Sequence, residues 1–276
     1  MVLSSSVSFL CISIEVCQVP HLPVHKKAVI ITGCDRGFGH ALAIKLDQMG
    51  FKVFAGCLFN KGDGAEALKR ICSDQLHVLQ LDVRDPEQVD GAYNAVEEKL
   101  NDYELWGLVN NAGICFIGNS EMISRNDSLR IMDVNFRGPY LMCSKFLPLL
   151  RRSQGIKIIP SGYKTGIIAY DKAKMAEKWW AEAPDIVKED FGKSSFLIKS
   201  KATDSDEMLS TDISPVINAM IDGLLSTNPK PIYYKGFLAR SLPFLYYHLP
   251  SPLREPVIGI FTDWFDFQPS CLQDVD

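Results

Sequence analysis

The sequence predicts an α/β fold, a doubly wound parallel sheet with helices on both faces. Three observations carry that expectation. Short β-branched runs alternate with helix-spaced apolar patterns four times between residues 27 and 152, which is how a parallel sheet with crossover helices reads. A glycine turn built on Gly33, Gly37 and Gly39 joins the first run to the first helical pattern. The chain has 276 residues, 47% of them hydrophobic, ample for one large domain and a stretch for two.

The elements follow in order. Lys27–Thr32 is an apolar, β-branched run and reads as a buried strand. Residues 33–39 form the turn. Leu42, Leu46 and Met49 then follow Phe38 at helical spacing, and Gly50 can end that helix. Lys52–Cys57 is a second strand, residues 65–72 a short helix and residues 77–81 a third strand. Asp82 and Pro86 open a helix that runs to about Leu100. Residues 105–110 make a fourth strand and residues 127–152 one long helix. After Gly155 the alternation fails. Residues 156–159 are one short strand, 172–191 are helical, and Ser214–Leu225 is a helix with Ser214 or Asp212 as its cap and Pro215 in its first turn. Residues 231–234 are a strand candidate.

The domain plan is a leader or membrane-association segment over residues 1–25, then a single domain over 26–276. Within it, 26–155 is the nucleotide-binding part and 156–276 a shortened substrate part with an apolar tail. The leader lacks an early basic residue and Glu15 interrupts it, so it fits neither a spanning helix nor a secretory signal. Lys and Arg number 29 against 33 Asp and Glu, a net of −4. No basic face is implied, and nucleic acid is excluded as a partner. The eight cysteines form no Cys-x-x-Cys pair and read as free thiols, with no metal site.

The glycine turn carries the first chemistry. Gly33, Gly37 and Gly39 let backbone N–H groups approach a pyrophosphate, which then sits on the positive end of the following helix. Phe38 lies inside that helix start, and Arg36 either meets a ribose 2′-phosphate or points to solvent. Asp82, after the third strand, suits the adenine edge or caps a helix. The second strand ends in Cys57, Leu58, Phe59 and Asn60, with no acidic residue for the ribose 2′-hydroxyl. Asn110, Ala112 and Gly113, in an Asn-Asn-Ala-Gly run, make a polar, small-residue end to the fourth strand, able to line a cofactor crevice.

TGCDRGFG, the aspartate of LQLDV, NNAG and the asparagine of DVNF stand in the order of the short-chain dehydrogenase/reductase family, and the chain resembles that family over about residues 26–265. It is most similar to the branch holding D-β-hydroxybutyrate, retinol and 17β-hydroxysteroid dehydrogenases. The resemblance implies a Rossmann-like sheet and hydride transfer between nicotinamide and a carbinol carbon. It also implies a Tyr–Lys proton donor pair, a Ser that holds the substrate oxygen and an Asn that organises a relay water. Asn135 matches the relay Asn. The cofactor is NAD(H) or NADP(H), with NAD(H) favoured.

One stretch departs from the family. A fifth strand ending in Ser-Ser, a loop and a Tyr-x-x-x-Lys helix belong between RRSQG and the sixth strand. Here RRSQG runs directly into IKIIPSGYKT. The preferred reading makes that segment the sixth strand, with Pro160 in the Pro-Gly turn and Thr165 on the nicotinamide amide. About forty residues, the catalytic Ser, Tyr and Lys among them, are then missing, and a central strand and helix with them. The rival reading makes it the fifth strand, with Ser161 holding the substrate and Tyr170 and Lys174 doing the chemistry from one helix face. Against the rival, Ser161 is only nine residues before Tyr170, and Pro160 falls where a ladder N–H is needed. Loss of so much core at about 25 cal/mol per Å² exceeds a typical net stability of roughly 5–15 kcal/mol. The remaining strand then slides in beside the fourth or leaves an exposed edge.

The expected function is oxidation or reduction of a secondary or lipophilic alcohol (3-hydroxybutyrate-, retinol- or hydroxysteroid-like), with impaired catalysis. The alternative is a non-catalytic nucleotide-binding or regulatory isoform paired with a full-length relative. The apolar tail, residues 236–267, either packs over the substrate cleft or faces lipid. Expected partners are a small lipophilic or hydroxy-acid substrate and a membrane surface, with homo-oligomerisation in doubt. The expected place is intracellular, at a mitochondrial or endoplasmic-reticulum membrane.

Overall fold

The computed structural model describes residues 21–116, 121, 123–153, 156–158, 171–194, 197, 212–233, 235, 248–250, 252 and 253. Five parallel strands form one sheet: β1 (Lys27–Thr32), β2 (Lys52–Cys57), β3 (Leu76–Gln80), β4 (Glu104–Val109) and β5 (Ile156–Ile158). Their order across the sheet is β3-β2-β1-β4-β5. The helices are α1 (Gly37–Gln48), α2 (Asp63–Ile71), α3 (Pro86–Leu100), α4 (Arg125–Met132), α5 (Gly138–Arg152), α6 (Lys172–Glu182), α7 (Asp185–Phe191) and α8 (Ser214–Leu225).

The strands are apolar at almost every position because the sheet is covered on both faces. Val29 and Ile31 point into a core shared with Leu42 and Leu46 of α1, Leu68 of α2 and Met220 and Leu224 of α8. Ala28 and Ile30 point the other way, to Val96 of α3 and Met142 and Phe146 of α5. Gly107 of β4 makes room for α8: a Cβ there would lie 2.6 Å from Leu224 Cδ2. Beside it, Trp106 Nε1 donates to the Leu224 carbonyl at 2.6 Å. An element from the second half of the chain thereby closes the first core.

Several helix ends follow from local chemistry. Asp85 caps α3 by accepting the Glu87 N–H, with Pro86 at the first helical position. The cap position of α8 is Ile213, neither Ser214 nor Asp212, and it makes no side-chain cap bond; the Asp212 carboxylate, one residue earlier, accepts the Ser214 N–H at 2.9 Å. The long helix expected over 127–152 starts earlier, at Arg125, because Ser124 is the cap. It is also not uniform: a π-helical turn, Asp133–Arg137, joins α4 to α5. The single helix expected over 172–191 is two helices. Pro184 excludes α geometry from Ala183, whose ψ of 143° ends α6. Residues 231–233 are irregular rather than a strand.

Strand β5 lies directly against β4, with Gly107 opposite Ile156 and Val109 opposite Ile158. The short strand after Gly155 thus lies beside the fourth strand and is itself the last strand of the sheet among the described residues, a place that both readings of this segment allow.

Candidate functional site

The strand order reverses at β1, which has β2 on one side and β4 on the other. The carboxyl ends of β1 and β4 therefore bound a crevice at a topological switch point, where open α/β sheets bind ligands. The glycine turn lies on it. Gly33 and Gly37 have φ of 72° and 66°, backbone that a side chain disfavours. Arg36 between them is extended and exposed. Helix α1 then begins with no side-chain cap and no acidic residue in its first turn, leaving its positive end suited to an anion. Phe38 fixes this helix start by burying its ring in the core.

The end of β4 is fastened to the turn by Asn111, a residue that no local sequence signal sets apart from its neighbours Asn110 and Ala112. Its Nδ2 donates to the carbonyls of Thr32 and Gly33, both at 2.9 Å. Thr32 Oγ1 in turn accepts the N–H groups of Asn111 and Ala112 at 3.0 and 2.9 Å. The fit is close: a Cβ on Gly33 would lie 2.8 Å from Ala112 Cα, and one on Gly39 would lie 2.5 Å from Asn111 Nδ2. Asn110 is turned inward, 4% exposed. Its Nδ2 reaches Cys143 Sγ at 3.4 Å, and its buried Oδ1 has no hydrogen-bond partner among the described residues. Gly113 continues this end towards Ile114.

At the end of β2 the tertiary structure supplies what the local sequence lacks. The Asp35 carboxylate reaches across from the glycine turn and accepts the N–H groups of Leu58 and Phe59 at 2.9 and 3.0 Å. Asp82 does not cap α3; that role falls to Asp85. Its carboxylate is gripped by Arg84, at 2.9 and 3.1 Å from Nε and 2.6 Å from Nη2. These bonds hold it below the usual carboxylate range. The thiols nearby are inert, since burial pushes Cys34 well up and Cys57 to about 12.

Asn135 sits in the π-helical turn and grips Ile114 from both sides. Its Oδ1 accepts the Ile114 N–H at 2.9 Å and its Nδ2 donates to the Ile114 carbonyl at 2.8 Å. Such turns recur at functional sites. Two residues on, Phe116 meets the Trp179 ring edge-on at 6.0 Å between centroids. Trp179 and Lys178 of α6 both bind the buried carboxylate of Asp127, at 3.1 and 2.6 Å. Burial alone would raise the Asp127 pKa, but these hydrogen bonds and that of Ser124 outweigh it and hold the group at about 2. Helix α6 is thereby tied to α4 beside the Asn135 loop.

Pro160, Ser161, Thr165 and Tyr170 lie outside the described residues. Lys174 is exposed in the first turn of α6, where its N–H is capped by Asp171 at 2.9 Å. The helix starts at Lys172. Among the described residues no cluster of three His, Cys, Asp or Glu could hold a metal ion. No helix among them is long and apolar enough to cross a membrane.

A parallel sheet with a glycine turn, an uncapped helix start and an amide-braced strand end at its switch point defines a nucleotide-binding α/β protein. The close glycine contacts fit a ligand-lined crevice there. The chain belongs to the short chain dehydrogenase family, whose model matches residues 27–175. It is 32% identical to estradiol 17-beta-dehydrogenase 2 of Mus musculus, over 86% of this chain and 75% of that one. It is 35% identical to the mitochondrial D-beta-hydroxybutyrate dehydrogenase of Bos taurus, over 77% of each. To retinol dehydrogenase 7 of Mus musculus it is 31% identical, over 91% of this chain and 92% of that one.

Proposed function

We propose that the chain is an oxidoreductase-family protein that binds a nicotinamide dinucleotide in the Gly33–Asn135 crevice and has impaired alcohol dehydrogenase activity. Its substrate class is a secondary or lipophilic alcohol resembling a hydroxysteroid, 3-hydroxybutyrate or retinol, as the names of its relatives suggest. The observation that carries the binding half is the pairing of the Gly33/Gly37 turn with Asn111 at the switch point. Gly33, Gly37, Phe38 and Gly39 present backbone to a pyrophosphate, Asn110, Ala112 and Gly113 line the crevice, and Asp82 approaches the adenine. When bound, the dinucleotide supplies or accepts the hydride. Asn135 holds the loop that faces it.

One observation supports impairment. The alignment to the mouse estradiol dehydrogenase runs over 286 positions but uses 86% of this chain, about 237 residues. Roughly 49 positions of that alignment thus hold no residue of this chain, a total similar in size to the gap read after Gly155. On this reading Pro160 and Thr165 belong to the cofactor side, and Ser161 is not the substrate-holding serine.

A second reading, a non-catalytic form pairing with a full-length relative, is favoured by one feature. Leu129, Met132, Phe136, Tyr140 and Leu147 form an exposed apolar row along α4 and α5, with Phe136 70% and Tyr140 66% exposed. We place the protein inside the cell at a mitochondrial or endoplasmic-reticulum membrane, a reading supported by its apolar leader and tail.

The test uses the purified full chain. NADH binding seen by fluorescence, without turnover of estradiol, 3-hydroxybutyrate or retinol, supports the first reading. Turnover that is abolished by Tyr170→Phe overturns the impairment. Co-purification with a full-length relative favours the second reading.

A further inference from the structure

Asp82, just past the end of β3, has each of its polar groups occupied. Its Oδ1 accepts the Arg84 backbone N–H at 3.0 Å and Nε at 2.9 Å; its Oδ2 accepts Arg84 Nη2 at 2.6 Å and Nε at 3.1 Å. Its own N–H donates to Gln88 Oε1 at 2.8 Å, and its carbonyl accepts the Asp85 N–H at 3.0 Å. Gln88 is held in turn, its Nε2 donating to Asp85 Oδ2 at 3.0 Å. The Arg84 backbone is fixed from the far side, where its carbonyl accepts Nη1 of Arg137, in the π-helical turn, at 3.2 Å. Beside it, a Cβ on Gly138 would lie 2.6 Å from Val83 Cγ2. The ion pair is therefore built into the end of β3, with the Asp82 side chain only 16% exposed.

This pairing changes the hydrogen-bonding sign of the place. An ionised carboxylate has about four lone-pair sites, and the contacts from Arg84 fill them. A purine 6-amino group is a donor. It gains an acceptor at Asp82 only by breaking a bidentate, charge-assisted pair, the strong kind of hydrogen bond. A purine 6-oxo group is an acceptor and needs no such break. The Arg84 guanidinium has more N–H groups than its bonds to Asp82 use, and its side chain is 37% exposed.

We infer that the Asp82–Arg84 pair makes the base end of the crevice a hydrogen-bond donor, so that this chain takes a 6-oxopurine dinucleotide, hypoxanthine in place of adenine, at least as well as the 6-aminopurine one. The inference rests on the proposal that the crevice binds a nicotinamide dinucleotide with its base beside Asp82.

The experiment is equilibrium binding to the full chain, with NADH against reduced nicotinamide hypoxanthine dinucleotide by fluorescence and AMP against IMP by calorimetry. No turnover is needed. The hypoxanthine ligands are expected to bind as tightly as their adenine counterparts, within about threefold, or more tightly. Arg84→Ala frees the carboxylate and removes the donors. It is expected to shift the ratio towards adenine at least about fivefold, roughly the worth of one hydrogen bond to a charged group. The lost positive charge acts alike on the two members of each pair, because their phosphates are the same, so the ratio reads the base alone. An adenine preference beyond about threefold in the wild type overturns the inference. So does a smaller shift in Arg84→Ala, or one towards hypoxanthine. If Arg84→Ala does not fold, the wild-type ratio still decides. Absence of binding by all four ligands overturns the dinucleotide reading itself.

Discussion

Asn111 donates through Nδ2 to the carbonyl of Gly33 at 2.9 Å, joining the end of β4 to the first residue of the glycine turn. The same nitrogen serves Thr32 at 2.9 Å. Asn111→Leu removes both donors and leaves two carbonyls in a part-buried place without partners, at a cost of about 1–3 kcal/mol each at most. A lowered urea midpoint and at least about tenfold weaker NADH binding are expected, measured on the same sample. Unchanged NADH affinity would sink the brace's link to the ligand.

Gly33 and Gly50 share a left-handed backbone, with φ of 72° and 88°, yet differ in surroundings. A Cβ on Gly33 meets Ala112 Cα at 2.8 Å, whereas one on Gly50 meets nothing within 4 Å. Gly50→Ala is thus expected to cost only the left-handed strain, about 1–2 kcal/mol. Gly33→Ala adds a backbone collision and costs more, and it alone weakens NADH binding. Paired thermal melts and nucleotide titrations check this. Equal loss of stability in the two variants would refute the packing argument.

Asp127 and Lys178 tie α6 to α4 with a 2.6 Å ion pair around a fully buried carboxylate. Asp127 is held at about 2 in the folded protein, below the ordinary 3.8. A depressed carboxylate stabilises above its unfolded pKa and loses that contribution as pH falls through the folded one. Asp127→Asn is expected to be destabilised by a constant amount from pH 7 to about 4, the gap narrowing as pH falls towards 2. Urea midpoints across that range test the sign. Lys178→Met, which strands the buried charge, is expected to cost more than Arg130→Ala, because Arg130 is a second, half-exposed partner at 3.1 Å.

Asn135 holds Ile114 by two hydrogen bonds of 2.8 and 2.9 Å. In Asn135→Ala the Ile114 amide loses its acceptor, so its hydrogen exchange is expected to accelerate by roughly tenfold or more, in line with about 1–1.5 kcal/mol per lost bond. The β1 amides are expected to keep their protection. Acceleration spread evenly over the sheet would instead mean that Asn135 acts on global stability.

Much of the fold is written locally. The β-branched run Lys27–Thr32, the glycines after it and the period of Leu42 and Leu46 are short-range signals, and each produced its element. Pro86 and Asp85 marked a helix start in the same way. Pro184 carries an equally local signal set inside a continuous helical pattern, and there the ban on α geometry at Ala183 prevails over periodicity.

By itself the sequence determined the alternation of elements, the glycine turn and its place on the sheet, since strand pattern, helix period and capping need only near neighbours. Tertiary structure alone decided which groups serve that site. Asp35 finds its partners 23 and 24 positions away, Asn111 finds Thr32 79 positions away and Asp127 finds Lys178 51 positions away. No periodicity encodes such pairings. They exist because the β3-β2-β1-β4-β5 order brings the carboxyl ends of separate strands together, and because α6 closes on α4 around one buried carboxylate that must be paired.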